Sequence, residues 1–181
     1  MRASHPPLLD ADVFSLLYDR THTTIFRFIF GIHGGPIEEV EDLTADTFFR
    51  AWRARHRFSG DERDALCWLF TIARHLVIDA HRHKKASSAD QMIRLDESNC
   101  ETVVDTNQGT PEEQAALQDQ FNHLWQMLHL LPQEKREMLV LRYMIGWKVK
   151  DIADFMHKEE HTISVHIKRS LEQIRQDWSK V

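Results

Sequence analysis

Hydrophobic residues recur along this chain with the period of an α-helix, and polar or glycine-rich breaks divide the pattern into segments. After a frayed Met1–Leu9, residues Val13, Phe14, Leu17, Tyr18, Ile25, Phe28 and Ile29 form one stripe that ends at Gly31, with Gly34-Gly35 beyond. Pro36 suits the first turn of the next helix, where its missing N–H is no loss. There Ile37, Val40, Leu43, Thr47, Phe48, Ala51 and Trp52 share one side. A third helix, from about Asp61 to Lys85, turns Leu66, Leu69, Phe70, Ile72, Ala73, Leu76, Val77 and Ala80 inward. The joint before it is Phe58-Ser59-Gly60-Asp61, in which Gly60 permits an unusual backbone angle and Ser59 or Asp61 can cap the third helix.

Residues 86–109 have no sustained periodicity and no aromatic residue, and read as an extended or disordered linker. It ends at Thr110-Pro111-Glu112-Glu113, which combines an N-cap Thr, Pro at the first helical position and a capping-box Glu. Phe121, Leu124, Trp125, Leu128 and Leu131 supply the stripe of that helix. Pro132 opens another over Gln133–Met144, with Met138, Leu139, Leu141 and Tyr143 mainly inward, and Gly146 breaks it. Asp151–Met156 reads as a short helix, His157-Lys158-Glu159 as a turn, and Glu160–Trp178 as a long helix. Ile163, Ile167, Ser170, Leu171, Ile174 and Trp178 form its inner face. Two helices joined by so short a turn are a helix-turn-helix.

The expected fold is therefore all-α: two small helical domains, 1–85 and 110–181, joined by a flexible acidic linker over 86–109, the second domain containing the helix-turn-helix. The length of 181 residues suits this division, and six Gly and five Pro are few enough for a helical fold. The net charge of −5 would argue against a nucleic-acid binder if it were spread evenly. It is not: residues 1–85 hold twelve Lys/Arg against twelve Asp/Glu, residues 86–120 one against eight, and residues 121–181 ten against eight. The acidity belongs to the middle segment. Cys67 and Cys100 stand far apart, outside any CxxC spacing, and Cys67 reads as a small, partly buried residue. No secretory signal or membrane-length apolar run is present, so a cytoplasmic protein with reduced thiols and no direct membrane insertion is expected.

The outer faces carry the candidate chemistry. The second helix collects Glu38, Glu39, Asp42 and Asp46 opposite its apolar stripe, with Phe49 among them. A ring set among carboxylates is a poor solvated face and a good docking face. The third helix presents Thr71, Arg74, His75, Ile78 and Arg82, and ends in His81-Arg82-His83-Lys84-Lys85. The long last helix shows His161, Ser164, Val165, Lys168, Arg169 and Glu172.

The runs Glu41–Trp52, Phe58–Asp61 and Cys67–His75 resemble the promoter-melting domain of extracytoplasmic-function (ECF) sigma factors of bacterial RNA polymerase, and Leu131–Arg175 resembles their −35-reading domain. The resemblance implies that Glu39, Glu41, Asp42, Asp46 and Phe49 dock on the clamp coiled coil of core RNA polymerase, whose flap is a further contact. It implies that Phe58, Ser59, Asp61, Arg63, Thr71, Arg74, His75, Ile78 and Arg82 hold promoter DNA at the −10 element, with one base flipped into a loop pocket. His161, Thr162, Ser164, Val165, His166, Lys168 and Arg169 would face the −35 element. A linker running along the polymerase's nucleic-acid channel and an anti-sigma factor as partner are implied too.

The second domain departs from the family pattern. His157 and Lys158 stand where the turn usually has Gly and an apolar residue, Glu159 and His161 where the recognition helix usually opens with Ser and Gly. Ser164 and His166 replace expected cations. These changes predict weak −35 recognition, since Ser cannot make the two-pronged Arg–guanine contact.

Other classes fit less well. The tail alone also resembles the DNA-binding domain of LuxR-type regulators, with Thr162–His166 leaning that way, but the first domain lacks the alternating strands and helices of a receiver. Twelve His residues raise a metal site, yet His157 and His161, four apart, find no third ligand with convergent spacing, and neither metal nor cofactor is expected. No phosphate-binding glycine loop, nucleophile elbow or paired buried carboxylates point to an enzyme. A helical adaptor that does not bind DNA is the remaining alternative.

Overall fold

The computed structural model describes residues 10–87 and 110–179. Residues 1–9, 88–109 and 180–181 lie outside them, so the expected linker over 86–109 is described only at Ala86 and Ser87, which are helical. Every regular element among the described residues is helical, and the helices form two compact units.

The first unit contains α1 (Ala11–His33), α2 (Ile37–Ala54), a 3-10 turn (Arg55–Arg57) and α3 (Glu62–Ser87). Phe28 of α1 meets Phe70 of α3 edge to face, ring centroids 4.7 Å apart. Around this pair Ile25, Ile29, Val40, Leu69, Ala73 and Val77 are sealed from solvent. Each large apolar side chain among them contributes about 1.5–3 kcal/mol by leaving water. Three threonines join the core because each hydroxyl donates to the carbonyl one turn back: Thr21 to Leu17 O (2.6 Å), Thr44 to Val40 O (2.7 Å) and Thr47 to Leu43 O (2.7 Å).

Several expectations need correction here. Helix α1 passes Gly31 and ends at His33, because Gly31, Ile32 and His33 are all buried and packing overrides glycine's weak helix preference. Tyr18 lies 40% exposed at the edge of the core, its ring on Phe48 at 4.7 Å. Ile37, Leu43, Trp52, Leu66, Ile72 and Ala80 are only half-buried, so the sealed stripe is narrower than periodicity suggests; Thr44 and Ala65 sit inside it instead. Gly60 has no positive φ. Its need is space: a Cβ there would lie 2.6 Å from Asp64 Cβ and 2.7 Å from Asp64 Oδ2.

That carboxylate is part of a cap. Asp64 N–H donates to Asp61 Oδ1 (2.9 Å) and Asp61 N–H donates to Asp64 Oδ2 (3.0 Å), a reciprocal cap on α3 made by two aspartates. Asp61, not Ser59, is the capping residue.

The second unit contains α4 (Pro111–Leu130), α5 (Gln133–Leu139), a π-helical turn (Val140–Met144), α6 (Val149–Met156) and α7 (Glu160–Trp178). The capping box of α4 is complete: Glu113 N–H donates to Thr110 Oγ1, and Thr110 N–H donates to Glu113 Oε2. Met138, Leu141, Ile152 and Ile163 form the sealed core. Beside them Arg136 and Glu137 are buried, and burial pulls the Arg136 guanidinium down to about 10, still a cation at neutral pH. Arg136 Nη1 contacts His129 Nδ1.

The π turn adds a residue to the loop closed by Ile145 N–H and Val140 O (3.1 Å). The added residue rotates the end of this helix, and Tyr143, expected inward, is 59% exposed. Leu124, Leu171 and Trp178 are likewise exposed rather than inward, Trp178 resting on the His123 ring at 4.9 Å. Helix α6 begins at Val149, ahead of the expected Asp151, and ends at His157 in the left-handed region (φ 53°), with Lys158 N–H on Ala153 O at 2.9 Å. Lys158 Nζ also reaches Glu134 of α5 at 2.9 Å, bracing the turn of the helix-turn-helix.

The capping pair yields a test. Gly60→Ala should lower the stability of the chain by about 1–2 kcal/mol, since the added methyl must push the Asp64 cap aside. In Gly60→Ala/Asp64→Gly the clash and the cap vanish together, since glycine also removes the Asp64 Cβ, so urea midpoints should show a double-mutant loss smaller than the sum of the singles. Strict additivity would show that the cap and the glycine are unrelated.

Candidate polymerase and nucleic-acid interfaces

Burial of Val40, Thr44, Thr47, Phe48 and Ala51 fixes the rotation of α2 and hence its outward face. The expected docking acids then fall into two groups. Glu41 and Asp42 are exposed and make no ion pair among the described residues. Asp46 is held by Arg50 one turn on (Nη2–Oδ2 3.1 Å). Glu39 is a junction: its Oε2 lies 2.9 Å from Nε2 of the buried His33 on α1, and its Oε1 lies 3.4 Å from Lys84 Nζ on α3. The His81 ring stands against His33 at 5.2 Å. Phe49 is 57% exposed, with the Arg53 guanidinium 5.7 Å from its centroid. An unpaired carboxylate pair beside an exposed ring makes a surface that a basic, partly apolar helix can cover.

The residues expected to hold −10 DNA lie on the connecting loop and one face of α3. Phe58 is half-buried and stacks on Trp68, centroids 5.1 Å apart, so its ring shapes the loop. Ser59 and Arg63 are exposed, and Asp61 is occupied by the cap. Thr71, Arg74, His75, Ile78 and Arg82 succeed one another at helical spacing; Thr71, His75 and Arg82 are exposed, Arg74 and Ile78 half-buried. Thr71 Oγ1 donates back to Cys67 O (2.9 Å), and Arg82 sits 3.9 Å from Asp79.

Two supports were missed in the sequence. The Arg55 guanidinium lies 3.5 Å from the Trp52 ring centroid and donates to Trp52 O at 2.7 Å, setting the 3-10 turn before the loop. Arg20 pairs with Glu62 across 2.9 Å, tying α1 to the start of α3. The three-residue spacing of Trp52 and Arg55 is a signal that could have found the first, whereas no local pattern announces the long-range pair.

In the second unit Ile163, Ile167 and Ser170 of α7 are buried. This turns His161, Ser164, Lys168 and Arg169 outward and exposed, with Thr162, Val165 and His166 half-buried on the flanks. Ile174, expected on the inner face, is half-buried. Among the described residues no group of three or more His, Cys, Asp or Glu is placed to hold a metal ion.

Two sequence-family models match this chain: Sigma-70 region 2 over residues 17–87, and Sigma-70, region 4, over residues 122–174. The ECF RNA polymerase sigma factor BldN of Streptomyces coelicolor is 35% identical over 156 residues, covering 85% of this chain and 56% of that protein. The chain thus spans little more than half of that relative's length. The ECF RNA polymerase sigma factor SigX of Bacillus subtilis is 25% identical over 164 residues, covering 91% of this chain and 82% of its own. Among solved structures, the sigma factor RpoE of Bartonella quintana, in complex with the anti-sigma factor NepR, superposes with a TM-score of 0.69 at 18% identity over 90% of this chain and 94% of that one. At that identity the likeness is one of fold. The LuxR-type alternative finds no support, and no strand of a receiver occurs among the described residues.

The junction at Glu39 predicts an acid response. Burial alone would raise its carboxyl, but the His33 hydrogen bond and the Lys84 charge together outweigh this and hold it below the ordinary glutamate value. A carboxyl lowered by folding adds stability above its unfolded value, lost as pH falls through the folded one. Glu39→Gln should therefore cost a few degrees or less of Tm near neutral pH, because the group is half-exposed, and flatten the decline below about pH 4.5. Thermal melts across that range with an unchanged acid limb would remove Glu39 from the junction's energetics.

Proposed function

The chain belongs to the ECF sigma factor family, and on that premise we propose that it binds core RNA polymerase and directs it to promoters, where transcription starts. In this reading the part up to residue 85 docks on the polymerase clamp and reads and opens the −10 element. The part from residue 110 reads the −35 element and meets the polymerase flap. The linker between them runs along the polymerase's nucleic-acid channel, its carboxylates standing in for RNA phosphates. The protein's contribution is binding, and the catalysis is the polymerase's. Its place is the cytoplasm with the polymerase, in line with the absence of a membrane-length apolar helix among the described residues. An anti-sigma factor is a further proposed partner, on the precedent of the RpoE neighbour.

The observation that carries the reading is the pair of outward faces in the first unit. Helix α2 offers Glu41 and Asp42, which make no ion pair among the described residues, two turns before exposed Phe49, while α3 offers Arg74, His75 and Arg82. An acidic, partly apolar face suits a protein helix and repels DNA; a basic face suits the displaced strand. Extruded bases favour such a site because they need no further unstacking.

Two variants test the separate roles. Asp42→Lys should weaken core-polymerase binding by roughly thirtyfold, about 2 kcal/mol, since repulsion replaces attraction at a partly desolvated contact. Asp42 is exposed, so helicity should be unchanged; co-purification with core polymerase at native yield would rule out the docking assignment. Arg74→Ala should reduce promoter opening by roughly tenfold while polymerase affinity stays near native. Permanganate footprints showing undiminished melting would move the −10 contact away from this face of α3.

A further inference from the structure

The turn and first half of α7 have a charge pattern unsuited to a phosphate surface at neutral pH. Residues 157–172 hold three fixed cations, Lys158, Lys168 and Arg169, against three acids, Glu159, Glu160 and Glu172. One of those cations is already engaged, because Lys158 is bound to Glu134 of α5 at 2.9 Å. Asp154, exposed at the end of α6, adds a fourth acid beside the turn. With neutral imidazoles this face has no net attraction for DNA, and phosphate contacts dominate DNA affinity.

The same stretch holds three histidines, and the structure brings each to the surface that would meet DNA. His157 is exposed in the left-handed residue that ends α6. His161 is exposed in the first turn of α7, on the side opposite buried Ile163 and Ile167. His166 is half-buried on the flank that leads to Arg169. None makes an ion pair among the described residues. Three protonated imidazoles would convert a face with no cationic excess into one with a surplus of positive charge, and histidine is the side chain whose charge changes between about pH 5 and pH 8.

We propose that His157, His161 and His166 are phosphate contacts that take up protons as DNA binds, so that the second unit's grip on DNA tightens as pH falls. The inference rests on the reading of α7 as the DNA-facing helix. The phosphates of bound DNA are the charges that favour the protonated imidazoles. Each protonated ring then donates N–H to a phosphate oxygen, which the neutral tautomer can do with only one of its nitrogens.

The test is fluorescence anisotropy of a labelled, random-sequence DNA duplex with the full chain, at constant ionic strength from about pH 8 to about pH 5.5. Linkage requires affinity to rise about tenfold per pH unit for each proton taken up, so a rise of at least tenfold across the range is expected. H157N/H161Q/H166Q should lose that rise, Asn being chosen at 157 because it tolerates the left-handed region. H161R/H166R should bind tightly already at about pH 8, a gain that a merely structural role for the rings would not produce. If the triple variant shows the same pH curve as the unaltered chain, or H161R/H166R binds no better at about pH 8, the inference is overturned. The underlying reading fails separately if K168A/R169A binds as tightly as the unaltered chain at every pH, since α7 then does not face the DNA.

Discussion

Phe28 and Phe70, buried edge to face between α1 and α3, set the rotation of both helices, and every exposed group of the first unit takes its place from that contact. With these rings inward, Thr71, His75 and Arg82 of α3 can only point out. Helix α2 closes the arrangement through Val40, Thr44, Thr47, Phe48 and Ala51, which forces Glu41 and Asp42 to the far side. The two outward faces are thus consequences of one packed core. Its threonines contribute because their hydroxyls are satisfied within their own helices, leaving small, dry methyl-bearing surfaces toward the neighbours.

Charge in this protein acts by commitment more than by count. Asp61 and Asp64 are used as caps, Glu62 by Arg20, Asp46 by Arg50, and Glu39 by His33 and Lys84. What remains for a partner is smaller and more local than composition suggests. The same holds in the second unit, where Glu134 neutralises Lys158 and leaves Lys168 and Arg169 as the fixed cations in the first half of α7.

The second unit is shaped by irregular backbone as much as by its core. A π turn before Gly146 throws Tyr143 outward, and Gly146 itself takes φ 84°. His157 ends α6 in a conformation that costs a non-glycine residue about 1–2 kcal/mol, and the Lys158–Glu134 pair lies next to it. These features aim α7 relative to α6, which is what a helix-turn-helix must control.

Helical class, the capping box at Thr110, the inner stripes of the first unit near their centres and the sigma-like motifs were all legible in the sequence, because each depends on residues within a few turns of one another. The Asp46–Arg50 pair was legible in the same way, being one turn apart. Only the tertiary structure decided that Glu39 is a junction residue, since its partners His33 and Lys84 come from two other helices and Lys84 is 45 positions away. Gly60 stands out in the sequence as necessary, but backbone freedom is the wrong reason; the close Asp64 side chain is visible only in three dimensions. Leu124, Leu171 and Trp178 match an inward period and yet lie exposed, and Tyr143 does so where a one-residue π insertion turns the end of its helix. Periodicity is a property of one segment, whereas burial and charge pairing belong to two, and the second segment can be chosen only by the fold.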